Sequence, residues 1–165
     1  MSEWMLRDLS AATPLRHVAL RYFNVFGPRQ NPASQYAAVI PAFITAILAD
    51  DQPVIYGDGK QSRDFTYVQN IVDANLQATQ TPKAGGEILN VACGTRVTIL
   101  GLASFIGQIL GREINPRFEK ARAGDIRHSL ADVTKAREFL GYRPKFGIEE
   151  GLKLTIEWFR RHGRR

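Results

Sequence analysis

Hydrophobic positions along the chain follow two periods in alternation. Residues 17–25 form an apolar, β-rich run that breaks at Gly27 and Pro28, which predicts a strand. Consecutive apolar positions at its start match a parallel strand buried on both faces. Residues 2–9 read as the end of a helix. From Val39 to Ala49 the spacing predicts another helix, with Pro41 tolerable in the first turn. Residues 53–56 predict a short strand closed by Gly57-Asp58-Gly59, and residues 63–68 predict a further strand. Asn70 is placed to cap the next helix, with Asp73 in capping-box spacing. Gly85 and Gly86 turn the chain into a strand over 87–92. Thr98 caps a helix whose apolar positions Ile99, Leu102, Ala103, Ile106, Ile109 and Leu110 keep helical spacing, and Gly111 ends it. Asp132 caps a shorter helix ending at Leu140 and Gly141. A last helix over 148–159 places Ile148, Leu152, Ile156 and Phe159 on one face.

Strands alternating with helices predict an α/β chain. At 165 residues it can build one sizeable core or two small lobes. The hydrophobic content of 44% and charged content of 23% are those of a soluble globular protein. No apolar run reaches the roughly 18 residues of a membrane span. The first residues lack the basic and apolar parts of a signal peptide, so a cytoplasmic location and no membrane association are expected. The single Cys93 excludes an internal disulfide framework and sits where a buried thiol is expected. His17, His128 and His162 have no metal-ligand spacing, so no metal site is expected.

With 22 basic against 16 acidic residues the chain carries a net charge of +6. Its arginines are scattered apart from a basic tail after Phe159. A nucleic-acid binder would concentrate them in one run or on one face, so no nucleic-acid partner is expected. A few arginines at turns suit a small anionic ligand instead. Arg63 lies between a glycine turn and a strand, Arg122 and Asp125 lie in a loop, and Asn24 stands at the carboxyl end of a strand, where α/β proteins place ligand groups. Two guanidinium forks match phosphate oxygens. Surface ion pairing and turn capping explain the same residues equally well at this level.

Several motifs resemble those of NAD-dependent nucleotide-sugar epimerases and dehydratases of the extended short-chain dehydrogenase type. They are LRYFNVFGPRQ at 20–30, YAAVIP at 36–41, YGDGKQSRDF at 56–65, NVACG at 90–94 and RAGDIRHS at 122–129, followed by Asp132, Gly141 and Pro144. Among the family's members the chain most resembles the UDP-glucose and UDP-N-acetylglucosamine 4-epimerases. The resemblance implies the carboxyl-terminal part of a Rossmann-type fold plus its small substrate-binding domain, with the amino-terminal Rossmann half absent. Residues 1–30 would be the last portion of the Rossmann domain. Residues 31–165 would be mainly the substrate domain, with a strand near 87–92 returning to the Rossmann sheet.

The same resemblance implies roles. Tyr22 and Phe23 would lie on the nicotinamide side, and Asn24 would hydrogen-bond the diphosphate-sugar part. Ala38 and Val39 would hold uracil, with Phe43 as apolar wall. Arg63 and Arg122 would bind the diphosphate, and Asp125 would accept from ribose hydroxyls. Arg29, Arg127 and His128 are expected to be structural, and Asp64 to pack or cap. The partner implied is a nucleotide-diphosphate sugar, the cofactor NAD, and the assembly a homodimer or a pairing with a missing amino-terminal half. The family reaction is C4 epimerisation through a 4-keto sugar. Its Tyr-x-x-x-Lys pair belongs on a helix a few residues before an acidic position that Glu3 matches, so it is expected upstream of Met1. No glycine-rich dinucleotide motif occurs in the chain. No catalytic residue is therefore expected here, and the chain alone is expected to be inactive. The alternatives are a non-catalytic nucleotide-sugar-binding module and a fragment of a dehydratase or decarboxylase relative.

Overall fold

In the computed structural model the described residues are 2–32 and 39–163. Helix α1 (Ser2–Ala12) leads to strand β1 (Ala19–Tyr22) and then to the short β2 (Val25–Phe26). Helix α2 (Val39–Leu48) precedes β3 (Val54–Tyr56), β4 (Ser62–Arg63) and β5 (Thr66–Tyr67), and α3 (Val68–Gln80) follows directly. Strand β6 (Ile88–Val91), strand β7 (Val97–Thr98), helix α4 (Ile99–Leu110) and strand β8 (Arg117–Glu119) come next. Helices α5 (Thr134–Leu140) and α6 (Ile148–His162) complete the order. The strands pair two by two. β1 lies parallel to β6, β2 parallel to β5 and β3 parallel to β8, whereas β4 and β7 run antiparallel.

Two-stranded ladders are marginal by themselves, so helices have to bury their faces. The main core joins α2, α4 and α6 through Ile40, Ile44, Leu102, Ile106, Leu152 and Ile156, with Ile55 and Phe26 from the strands. Gly151 lets α6 approach β2 and β5: a Cβ there would stand 2.8 Å from Phe26 and 2.9 Å from Tyr67. A second core sits between α3, β6 and α5, where Leu89 and Val91 meet Ile71, Ala74, Ala136 and Leu140. Local signals act as read at both ends of α4. The Thr98 hydroxyl accepts from the Gly101 amide at 3.0 Å, and Gly111 closes the helix in the left-handed region at φ 67°.

Three expected elements differ. The strand expected over 17–25 is broken at Asn24, whose φ of 36° is incompatible with a continuing strand. It is not buried on both faces either: Arg21 and Tyr22 are exposed, and Arg21 donates twice to Glu3 at 2.7 Å. The strand expected over 63–68 divides into β4 and β5 around Asp64. Helix α3 starts at Val68 with Tyr67 as its cap, so Asn70 is not a cap but a buried residue in the first turn. Its Oδ1 accepts from the amides of Lys145 and Phe146 at 2.9 and 3.1 Å, and its Nδ2 donates to the Phe146 carbonyl at 2.8 Å. Asp73 accepts from Gln69 and pairs with Lys145 rather than closing a capping box.

Among the described residues β1 pairs with β6 alone. Trp4, Met5 and Leu9 of α1 and Leu76 of α3 are exposed, Trp4 to 77%.

Asn70 ties α3 to the segment that enters α6. Replacing it with alanine leaves two amides and a carbonyl of the part-buried 145–146 segment without their partner, and Asn70→Ala is expected to cost about 2 kcal/mol in urea unfolding. A loss below about 1 kcal/mol would show that water replaces the lost contacts.

Candidate functional site

A cleft of about 680 Å³ opens where the loops after β1, β3 and β8 meet the start of α2. Asn24, Val39, Tyr56, Arg63, Arg122 and Asp125 line it. Four of the residues singled out on chemistry, Asn24, Arg63, Arg122 and Asp125, thus share one cavity although they come from distant parts of the sequence.

The local backbone explains each position. Asn24 sits in the left-handed region, which short polar side chains tolerate. Its Nδ2 donates to the Asp64 carbonyl at 3.0 Å, and its own carbonyl accepts from the Thr66 amide at 3.2 Å. The break between β1 and β2 is therefore clamped to the segment that carries Arg63. The side chain of Arg63 is mostly buried; its Nη1 donates to the Ser62 carbonyl at 2.9 Å and its Nη2 pairs with Asp125. The Arg122 guanidinium stacks on the Tyr56 ring, 3.9 Å from its centroid, an arrangement worth about 0.5–1 kcal/mol when exposed. Tyr56 is itself held through its carbonyl, which accepts from Gln61 Nε2 at 2.6 Å.

The loop over 120–130 has little regular structure and is ordered through Ser62. The Ser62 amide donates to Arg127 O at 2.9 Å, Ser62 O accepts from the Ser129 amide at 3.0 Å, and Ser62 Oγ lies 2.9 Å from His128 Nδ1. Arg127 adds a bidentate pair with Asp58 at 2.8 and 2.9 Å. The Asp58 carboxyl is held below its ordinary range, first by Arg127 and then by the Lys60 amide. Arg127 and His128 brace the loop rather than line the cleft.

Asp64 is fully buried. Its Oδ1 accepts from the Cys93 amide at 3.1 Å, and its Oδ2 from Gly94 at 3.0 Å and Ala131 at 3.3 Å. Burial raises its carboxyl above the ordinary value, while the amides of Ala131, Gly94, Cys93 and Thr95 pull it back.

Other expected positions lie elsewhere. Phe43 is not a wall of the cleft: it is 2% exposed and faces the main core, because its place on α2 turns it toward α4 and α6. Ala38 is outside the described residues. Tyr22 lines a separate cleft of about 400 Å³ with His17 and Leu20, and donates to Asn75 at 3.0 Å. Phe23 packs on Ala92, Ala131 and Val133. Tyr56 and Gln61 were not singled out on chemistry; a tyrosine ending a strand before a glycine turn was the available signal. One Tyr-x-x-x-Lys spacing does occur within the chain, at Tyr56 and Lys60. They stand on a turn with Gly57 at φ 82° and Gly59 at φ 72°, not on a helix. Lys60 is exposed and its amide donates to Asp58. Among the described residues no group of histidine, cysteine and carboxylate side chains could hold a metal, and no helix is long and apolar enough to cross a membrane.

The profile of the NAD dependent epimerase/dehydratase family matches residues 1–92. The chain belongs to this family. Among solved structures it is similar to the UDP-N-acetylglucosamine 4-epimerase of Methanobrevibacter ruminantium M1, in complex with UDP-N-acetylmuramic acid. The match is 44% identical with a TM-score of 0.91 over 96% of this chain and 51% of that one. The UDP-glucose 4-epimerase of Thermotoga maritima, with UDP-glucose, is 39% identical with a TM-score of 0.91 over 96% and 50%. A UDP-N-acetyl-alpha-D-glucosaminuronate decarboxylase of Bacillus cytotoxicus is 40% identical over 147 residues, 86% of this chain and 45% of that protein. The chain thus spans about half the length of the relatives it matches, and its fold is part of their α/β Rossmann-type architecture.

The family name implies NAD. Tyr22 and Phe23 lie outside the arginine-bearing cleft. The Gly57–Gly59 turn joins β3 to β4, whereas a dinucleotide cradle leads from a strand into a helix whose amino end faces the pyrophosphate.

Cys93 adjoins the site, with its Sγ 3.8 Å from Asn70 Nδ2. Burial, and then the neighbouring Asp64, push its thiol up to about 11. At pH 8 its thiolate fraction is about a hundredfold below that of an ordinary cysteine. Iodoacetamide should therefore alkylate the native chain about a hundredfold more slowly than the urea-unfolded chain. Cys93 is half-buried rather than fully buried as expected, and equal rates would contradict even that shielding.

Proposed function

We propose that this chain is the UDP-sugar-binding part of an NAD-dependent nucleotide-sugar epimerase, and that it does not carry C4 epimerisation alone. The observation that carries the reading is the convergence of Arg63, Arg122, Asp125 and Asn24 on one cleft. Arginine forks bind diphosphate oxygens bidentately. The carboxylate of Asp125 suits ribose hydroxyls, and Val39 offers an apolar edge to a base. On binding, Arg63 exchanges part of its pairing with Asp125 for phosphate oxygens. Relatives in complex with UDP-N-acetylmuramic acid and with UDP-glucose support this ligand class.

In this reading residues 1–30 and the strand near 87–92 belong with the Rossmann part, and 31–165 are mainly the substrate part. The parallel pairing of β1 with β6 supports the returning strand. The open edge of β1 and the exposed apolar side of α1 are where the remainder of the family fold, as a separate half or a second copy, covers the chain. A cytoplasmic location accords with a nucleotide-sugar ligand.

Calorimetry with the 165-residue chain tests the ligand. UDP and UDP-sugars should bind, and uridine should bind about a hundredfold more weakly. Arg63→Ala and Arg122→Ala should each weaken UDP by about ten- to a hundredfold. Absence of UDP binding, or indifference to both substitutions, would overturn the reading. Incubation with NAD and UDP-glucose should yield no UDP-galactose.

A further inference from the structure

We infer that Asp64 is a positioning residue for the anion-binding groups, holding the Asn24, Arg63 and Arg122–Asp125 segments in one cleft through backbone hydrogen bonds. The inference rests on the functional reading of that cleft and adds a residue that touches no ligand. Asp64 is absent from the cleft lining, and its carboxylate is taken up by backbone amides. Its two oxygens take amides from two separate stretches: Cys93 and Gly94 after β6, and Ala131 beyond the arginine loop. Its main chain reaches two more groups, because its carbonyl accepts from Asn24 and its neighbour in sequence is Arg63.

The connections converge. The chain leaving the Arg122–Asp125 loop is secured twice in succession, by Ser62 through Arg127 O and Ser129 N and then by Asp64 through the Ala131 amide. Asn24 is secured by the Asp64 carbonyl, and Arg63 lies between Ser62 and Asp64. A fully buried carboxylate is stable in such a place only when donors surround it, so the three segments and the carboxylate hold each other. Surface ties such as Arg127–Asp58 are exposed and cannot fix geometry to the same degree. Asparagine at position 64 would keep the shape but turn an NH2 group toward backbone amides that are themselves donors, and one or two of the three bonds would be lost.

The test uses the full chain and Asp64→Asn, with residue-resolved amide exchange and calorimetry with UDP and with uridine. Exchange in 92–95 and 122–131 should rise about tenfold or more in the variant while α2, α4 and α6 keep their protection. UDP affinity should fall about tenfold and uridine affinity by clearly less, because the loosened segments carry both diphosphate arginines but only one ribose contact, Asp125. A general destabilisation would instead raise exchange throughout and weaken both ligands alike, which would overturn the proposal, as would unchanged exchange in the loop. If Asp64→Asn does not fold, the wild-type chain decides. The amides of Cys93, Gly94 and Ala131 should then be protected to a common degree, and exchange at free-loop rates would overturn the proposal. If the wild-type chain binds no UDP, the ligand reading fails, and the exchange data still decide whether Asp64 holds the loops.

Discussion

A carboxylate taken wholly out of water has to be met by donors, and satisfying Asp64 organises this chain more than any other single requirement. Its donors are main-chain amides, which cannot turn away without moving the segments they belong to. Regular structure at the cleft is slight: β4 and β5 have two residues each, and the loop before Ala131 has little. The helices supply the buried mass and the loops supply the chemistry. What joins them is the stretch Ser62 to Thr66, which touches the break after β1, the arginine loop and the turn after β6.

The positive charge of the chain is distributed unequally in its consequences. Arg21, Arg112, Arg127 and Arg161 each pair with a carboxylate at the surface, where such pairs contribute little to stability. Arg122 instead lies on an aromatic face, and Arg63 shares its carboxylate partner with the cleft. A guanidinium on a ring keeps its outward N–H groups directed at whatever enters. The net +6 thus matters less than where two arginines are held.

Much of the architecture was legible from periodicity. The apolar spacing of α4 and α6, the Thr98 cap and the Gly111 stop act as their residue types dictate, because each depends on contacts within a few residues. Asn24, Arg63, Arg122 and Asp125 could be singled out as candidates because guanidinium forks and short polar groups at turns suit an anion, although ion pairing and turn capping fit the same residues. The misses share one cause, dependence on contacts distant in sequence. Nothing near Asn70 announces that its amide will serve the chain at Lys145 and Phe146. The division of 63–68 follows from Asp64 turning inward to amides 29 to 67 residues away. Phe43 fits an apolar stripe equally well as core or as wall, and only the packing of α2 against α4 and α6 decides it. The Tyr56–Lys60 spacing shows the reverse hazard, a helical motif written on a turn where the Tyr56 ring carries Arg122 and Lys60 is exposed.

The parallel register of β1 with β6 also dictates an order of events during synthesis. Ala19 leaves the ribosome long before Ile88, its partner in the ladder, exists. Until then Leu20 lacks the Leu89 and Val91 against which its layer packs. Because the first strand completes its pairing only after α2 and α3 have been translated, closure of this ladder joins ends far apart along the chain, a slow step for a chain of any stability. Strand β1 therefore stays unpaired until β6 has been made, an exposed apolar edge on which a chaperone can act.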